Sequence, residues 1–258
     1  MAYFRIEYYS GALHRQTSFE MFLPNDRPPE SPESAAEQTM RTLFLLHGYT
    51  GKAGNWVPED LAYRHRLAIV MPTAENSFYL NGPATGRAFQ TLVGEELVDY
   101  VRRTFRLAMR KEDTFIAGMS MGGFGALHTG LSYPETFGKI AALSSALIVH
   151  GIARMRPGED NGMANYEYYR ECFGDLETVE ERDVNPEVLI RALKKAGTEL
   201  PGIMMCCGTE DFLLQANRQM HAFLEQERVP HLYLEDAGNH DMAFWSRYIV
   251  KAVAWMCG

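Results

Sequence analysis

The sequence predicts an α/β protein with a mostly parallel central sheet and helices on both faces. Three observations carry this. From Thr42 onward, short apolar runs alternate with segments of helical period, the pattern of repeated strand–helix units. Most of these runs are apolar throughout rather than alternating, as strands covered on both faces must be. One of them, Phe115-Ile-Ala117, leads through Gly118-Met-Ser-Met-Gly122 straight into a helix-compatible stretch, Gly123 to Leu131.

The elements follow in chain order. Residues 3–9 and 16–23 are rich in aromatic and apolar side chains, and the break at Ser10-Gly11 predicts an antiparallel pair. Residues 24–39 are polar and proline-rich. They read as a surface connection rather than a domain linker, because too little chain precedes them to form a core. Strands are expected at 42–47, 67–71, 114–118, 139–146, 202–207 and 231–235, the last being the least continuously apolar. Helices are expected at about 55–65, 90–107, 121–132, 212–227 and 241–256. In the second of these, Leu92, Val93, Leu97, Tyr100, Val101 and Phe105 recur at helical spacing with charges opposite. Residues 148–200 hold helical patches near 164–172 and 185–195 and no clear strand. They are expected to form a small cover or lid insertion over the carboxyl edge of the sheet, within a single domain spanning residues 1–258.

Composition narrows the function classes. A chain of 258 residues with 46% hydrophobic content suffices for one large α/β core. The net charge of −8 argues against a nucleic-acid surface or attraction to anionic membranes. The N-terminus lacks a basic segment followed by an apolar one, so no secretory signal is expected and the cytoplasm is the expected location. No apolar stretch reaches the roughly 18 residues of a membrane span. Cys172, Cys206, Cys207 and Cys257 are expected to be reduced thiols, and the adjacent Cys206 and Cys207, inside an apolar run, to pack in the core. No C-x-x-C or H-E-x-x-H spacing appears, so no metal is expected. A homo-oligomer is compatible with the sequence, which does not fix the oligomeric state.

Gly118-Met-Ser-Met-Gly122 matches the G-x-S-x-G pattern in its strand–turn–helix setting. The reason for the glycines is steric. A serine at the apex of a strained turn needs neighbours without Cβ atoms, and the turn presents Oγ at a helix N-terminus, where N–H groups favour negative charge. Three fixed positions match by chance in roughly one such chain in ten, so the context carries the weight. A serine hydroxyl needs a base, and the base an orienting acid; in enzymes that carry this G-x-S-x-G turn the acid and then the histidine follow the serine along the chain, each just after a strand. Ile203 to Asp211 ends a buried strand at Gly208 and then presents two carboxylates. Asp211 is taken as the acid, with a helix cap as its alternative role and Glu210 in reserve. Leu232 to His240 repeats the pattern, a strand, a glycine turn and a histidine opening the last helix. An imidazole there can accept and return a proton. Asp241 beside it suits the N-terminus of that helix. The run Leu43 to Gly51 places His47-Gly48 at a strand end. The backbone N–H groups of Tyr49 and Met121 are the expected oxyanion donors, with His47 in an orienting role. Tyr49, Trp56, Met119, Met121, Phe124 and Phe212 are bulky apolar residues expected around the elbow; Trp56, Phe124 and Phe212 are the candidates for a substrate pocket. Arg154 and Arg156 read as solvated loop charges.

These segments resemble the esterase D-like branch of the α/β-hydrolases. The matching stretches are Ile6-Glu-Tyr-Tyr-Ser10, Leu45 to Gly51 with Asn55-Trp56, Val70-Met-Pro72, Glu95-Glu96, Phe115 to Gly125, Cys207 to Leu213, and Ala237-Gly-Asn-His240 with Trp245. The first and the Gly-Thr-Glu-Asp-Phe-Leu stretch are most similar to bacterial tributyrin esterases. The resemblance implies the α/β-hydrolase fold and a cofactor-free serine carboxylesterase for short acyl chains; the bulky apolar residues around the elbow extend the expected range to aryl esters, and acylated sugars are a further candidate substrate. It implies Ser120 as nucleophile, Asp211 as acid, His240 as base, and Tyr49 and Met121 as oxyanion donors. The alternative is a thioesterase like the S-formylglutathione hydrolases, or an acyltransferase. The cysteine-containing segment usual after the oxyanion strand of those hydrolases is absent from Lys52-Ala-Gly-Asn-Trp56.

Overall fold

Eight strands form one sheet in the order β1-β2-β4-β3-β5-β6-β7-β8. The structure is a computed structural model that describes residues 2–25 and 40–258. The surface connection read at 24–39 therefore lies almost wholly outside the described residues. Strands β1 (Ala2–Ser10) and β2 (Arg15–Leu23) pair antiparallel through a tight turn that sets Ser10 opposite Arg15. β3 (Arg41–Leu46), α1 (Glu59–Arg64) and β4 (Leu67–Pro72) follow, with β2 antiparallel and β3 parallel to β4. Next come α2 (Phe89–Thr91), a widened turn (Leu92–Glu96), α3 (Leu97–Phe105), β5 (Thr114–Met119) and α4 (Met121–Ser132). After β6 (Lys139–Leu143) the chain makes α5 (Val149–Ile152), α6 (Tyr166–Phe173) and α7 (Pro186–Ala196). It closes with β7 (Gly202–Gly208), α8 (Leu214–Gln226), β8 (His231–Asp236) and α9 (Met242–Cys257). From β4 to β8 across the sheet all pairings are parallel.

Side-chain alternation along the strands builds two cores, one on each face. Leu43, Leu45, Phe115 and Ala117 join α1 and α9 on one face, while Phe44, Leu46 and Ile116 join α3, α4 and α8 on the other. That is why these strands read as unbroken apolar runs. β8 is an edge strand and only half-buried, which matches its weaker apolar signal. The four thiols are free and buried.

Three elements depart from the sequence reading. The helix expected at about 55–65 begins only at Glu59. Pro58 disfavours helical geometry at Val57, and Asn55 folds the preceding residues into a turn, its Oδ1 accepting from Val57 N–H at 2.9 Å. The strand expected at 139–146 stops at Leu143, because Ser144 enters the left-handed region with φ 43°. The helix expected at 90–107 is interrupted by the widened turn. Glu96 there accepts from Ser10 Oγ at 3.1 Å and from Ala12 N–H at 2.8 Å, fixing the β1–β2 turn.

Among the described residues no helix is long and apolar enough to cross a membrane. No group of three or more metal-ligating side chains occurs there either.

Candidate active site

The site stands at the carboxyl ends of β3, β5, β7 and β8. Ser120 turns sharply out of β5 with φ 55° and ψ −119°. A methyl group on Gly122 would lie 2.4 Å from the Leu46 carbonyl oxygen, and one on Gly118 2.3 Å from the Gly122 carbonyl oxygen, so no other residue fits either place. Main-chain bonds hold the apex. Ser120 N–H donates to Leu143 O at 2.9 Å, and Ser120 O accepts from Ala146 N–H at 3.0 Å and Phe124 N–H at 3.1 Å.

Asp211 and His240 arrive on crossing loops. Gly208 and Gly238 touch so closely that a Cβ on Gly208 would be 2.0 Å from Gly238 O. Thr209 N–H donates to Asp236 O at 2.9 Å and Glu210 N–H to Gly238 O at 3.1 Å. The Glu210 carboxylate returns the bond, accepting from Gly238 N–H at 2.5 Å. Glu210 thus clasps the histidine loop from outside, and no bond links it to His240.

The buried Asp211 carboxylate lies 2.8 Å (Oδ2) and 3.0 Å (Oδ1) from His240 Nδ1. His240 Nε2 lies 2.9 Å from Ser120 Oγ. A carboxylate beside Nδ1 requires the proton there, which leaves Nε2 to accept from the serine hydroxyl. Burial by itself raises the Asp211 carboxyl. Hydrogen bonds from His240 and from Leu213 N–H (2.8 Å) outweigh it and hold the group below the usual carboxylate range. The His240 ring is flanked by Phe212 at 4.5 Å and by the edge of Trp245 at 4.8 Å. Asp241 caps α9 by accepting from Phe244 N–H at 3.0 Å.

Beside the serine lies the loop after β3. A Cβ on Gly48 would be 3.6 Å from Ser120 Cβ. Thr50 N–H donates to Asn76 Oδ1 at 2.7 Å, and Gly51 N–H to Gly48 O at 3.0 Å. No described residue accepts from the N–H of Tyr49 or Met121, and the latter opens α4. His47 points elsewhere. Its Nδ1 bonds the Gly48 carbonyl at 2.9 Å and its Nε2 accepts from Ala74 N–H at 3.2 Å. Burial pushes its ring toward the neutral form. It is buried and braces the loop.

A cavity of about 440 Å³ opens over Ser120. Tyr49 and Met121, Phe212 and Leu213, and Ala146 and Ile148 form its floor and one side. Asn161, Met163, Tyr168 and Tyr169 of the cover segment also line it, with Phe78. Among the described residues no charged side chain lines it. Of the three pocket candidates only Phe212 is present. Phe124, one helical turn past Ser120, is wholly buried among Phe78, His128 and Phe173. Trp56 is directed by the Asn55 turn onto the core of the other sheet face, where Met119 also packs. Sequence reasoning missed the cover residues. The signal available was Asn165 followed by Tyr166, Tyr168 and Tyr169. Asn165 accepts from Tyr168 N–H and starts α6, and the helix turns Tyr168 and Tyr169 toward the cavity.

The fold, taken with the relatives it shares, defines the class, a carboxylic ester hydrolase of the serine-hydrolase, α/β-hydrolase type. The comparisons with known proteins agree. The chain is 40% identical over 261 residues to the acetyl esterase of Caldicellulosiruptor saccharolyticus, covering 99% of this chain and 98% of that one. Its structure is similar to the substrate-bound fluorophosphonate-binding serine hydrolase F of Staphylococcus aureus, with TM-score 0.85 and 26% identity, covering 100% of this chain and 98% of that one. It is also similar to the S-formylglutathione hydrolase of Staphylococcus aureus, with TM-score 0.83 and 26% identity, covering 100% of this chain and 99% of that one. The chain belongs to the Esterase family, whose model matches residues 10–256.

Proposed function

We propose that the chain is a serine carboxylesterase for short-chain acyl or small aryl esters, working through Ser120, His240 and Asp211 and an acyl-enzyme. The observation that carries the reading is the relay itself: Asp211 on His240 Nδ1 at 2.8 Å and Ser120 Oγ on Nε2 at 2.9 Å, at the floor of an apolar cavity. His240 takes the hydroxyl proton as Oγ attacks the ester carbonyl, and Asp211 stabilises the imidazolium. The oxyanion settles against the N–H groups of Tyr49 and Met121, each worth about 3–4 kcal/mol at the transition state. The alcohol leaves with the proton held by His240, and water repeats the cycle on the acyl-enzyme.

The uncharged wall suits acetyl, butyryl or aromatic groups. The acetyl esterase relative supports the short acyl end of that range. The S-formylglutathione hydrolase neighbour supports a thioester reading, but the two carboxylates of a glutathione thioester would find no cationic partner among the described residues of the cavity wall. The test is a panel of nitrophenyl esters of increasing acyl length, acetylated sugars, hydroxycinnamate esters and matched thioesters. Preference for acetyl or butyryl oxygen esters with release of free acid is the expected result. Faster turnover of thioesters, or product formed only with an acceptor alcohol, would reject it.

A further inference from the structure

Asn217 is a fully buried amide in α8, a helix whose other core residues include Leu214, Met220, Phe223 and Leu224. Burying an amide in such surroundings is unfavourable unless its polar atoms are bonded. All of them are. Its Oδ1 accepts from Ser145 N–H at 3.2 Å, and its Nδ2 donates to Ser145 O and Leu213 O, each at 2.9 Å. Both ends of this bracket lead to the reacting groups.

At one end is the loop behind the nucleophile. Ser144 leaves β6 with φ 43°, a conformation unfavourable for a serine that persists only where its surroundings impose it. The two residues flanking this reversal bond the Ser120 main chain. Leu143 O accepts from Ser120 N–H, and Ala146 N–H donates to Ser120 O. Ser145 also abuts the elbow helix, since a methyl on Gly123 would sit 2.7 Å from Ser145 Oγ. At the other end, Leu213 donates its N–H to Asp211 Oδ1 at 2.8 Å. One side chain therefore spans from the loop that grips Ser120 to the turn that holds Asp211.

We infer that Asn217 is a positioning residue for the reaction, fixing the Ser120–Asp211 separation by tying the Ser144–Ala146 loop to the first turn of α8. The inference rests on the reading of Ser120 as nucleophile. Asn217 touches no substrate, so its loss should lower the rate of the chemical step and leave ester binding nearly unchanged.

Two variants of nearly the same volume test this in the full chain. Asn217→Leu removes all three bonds, and Asn217→Asp removes the two donors while keeping an acceptor. With nitrophenyl acetate, Asn217→Leu should lower kcat about 100-fold, the scale of a small misplacement of reacting groups. Asn217→Asp should lower it about tenfold, KM staying within about threefold in both. The rate of fluorophosphonate labelling at Ser120 should fall in step, with cooperative unfolding above the assay temperature. Folded variants with kcat within about threefold of the parent, or a loss carried by KM alone, would overturn the inference. So would failure of both variants to fold, because the amide would then be a stability device. Ser120→Ala, run alongside, separates the two readings. If it still labels, the nucleophile assignment fails; if it is dead while the Asn217 variants are normal, only the positioning role fails.

Discussion

At the sheet rim, the loops carrying Ser120, Asp211 and His240 are joined mainly through the main chain. Ser120 is bonded to residues 143 and 146, and residues 208–210 to residues 236–238, with glycines where the backbones touch. The cover, residues 148–200, is anchored by side chains. His128 of α4 bonds the Asp183 carbonyl at 2.9 Å, and Tyr168 donates to the Asn76 carbonyl at 2.9 Å. His150 bridges Glu180 at 2.5 Å and Glu187 at 3.0 Å. Main-chain bonding fixes a geometry that tolerates few residue types. Side-chain anchoring leaves a wall whose residues can change one at a time; one anchor, His128, titrates, as does the His150 bridge inside the cover.

Substitutions at the rim should act on rate and those in the cover on stability. The largest effect is expected for Ser120→Ala, which should lower kcat about a millionfold with an unchanged melting temperature. Surviving ester turnover would break the comparison at its root. Asp211→Asn should lower kcat about ten-thousandfold, by loss of the tautomer that leaves Nε2 free to accept. Glu210→Gln, measured in parallel, should cost less than about tenfold, since Glu210 holds only the loop.

His128, beneath the cover, and His150, within it, should respond to pH with opposite signs. Burial pushes the His128 ring down to about 4, the bond to Asp183 O opposing it only in part. The folded state therefore favours neutral His128. Its stabilisation is complete above the unfolded value near 6.5 and is lost as pH falls toward 4, by up to about 3 kcal/mol. Thermal melts from pH 7 to 4.5 should show this slope, and His128→Gln should flatten it. Tyr168→Phe should lower stability by about 1 kcal/mol through loss of its bond to Asn76 O, with KM shifting more than kcat. The smallest effect is expected at His150. Burial disfavours its charged form, but hydrogen bonds to Glu187 and Glu180 outweigh that and raise its pKa. Its contribution is present below the unfolded value and fades as pH rises through the higher folded one. The melting temperature of His150→Ala should differ from that of the parent at pH 6 and converge with it in alkaline buffer.

The rim was legible because its constraints are local. Gly118, Ser120 and Gly122 are adjacent, and Gly208 to Asp211 and Gly238 to His240 each follow an apolar run, so strand, turn and polar residue appear together in the text of the chain. Strand β6 was read too long because Ser144 and Ser145 interrupt an apolar stretch weakly, while the reversal at Ser144 is imposed by Cys206, Asn217 and Ser120, all distant in sequence. The widened turn at Leu92–Glu96 leaves no mark on hydrophobic spacing, because its cause is Glu96 reaching across to Ser10 and Ala12. Trp56 lies close in sequence to the loop after β3 and Phe124 to the elbow, but their side chains follow a local turn and a helix phase into the two cores.

The sequence by itself determined the alternation of strands and helices, the strained serine turn, and which acid and imidazole end a strand at the same edge. Those are properties of backbone sterics and apolar periodicity over a few residues. The tertiary structure decided the cavity. Its wall is drawn from residues 49 to 213, and which aromatic rings face the serine depends on how a cover of short helices packs, a sum of many weak contacts that no single segment encodes.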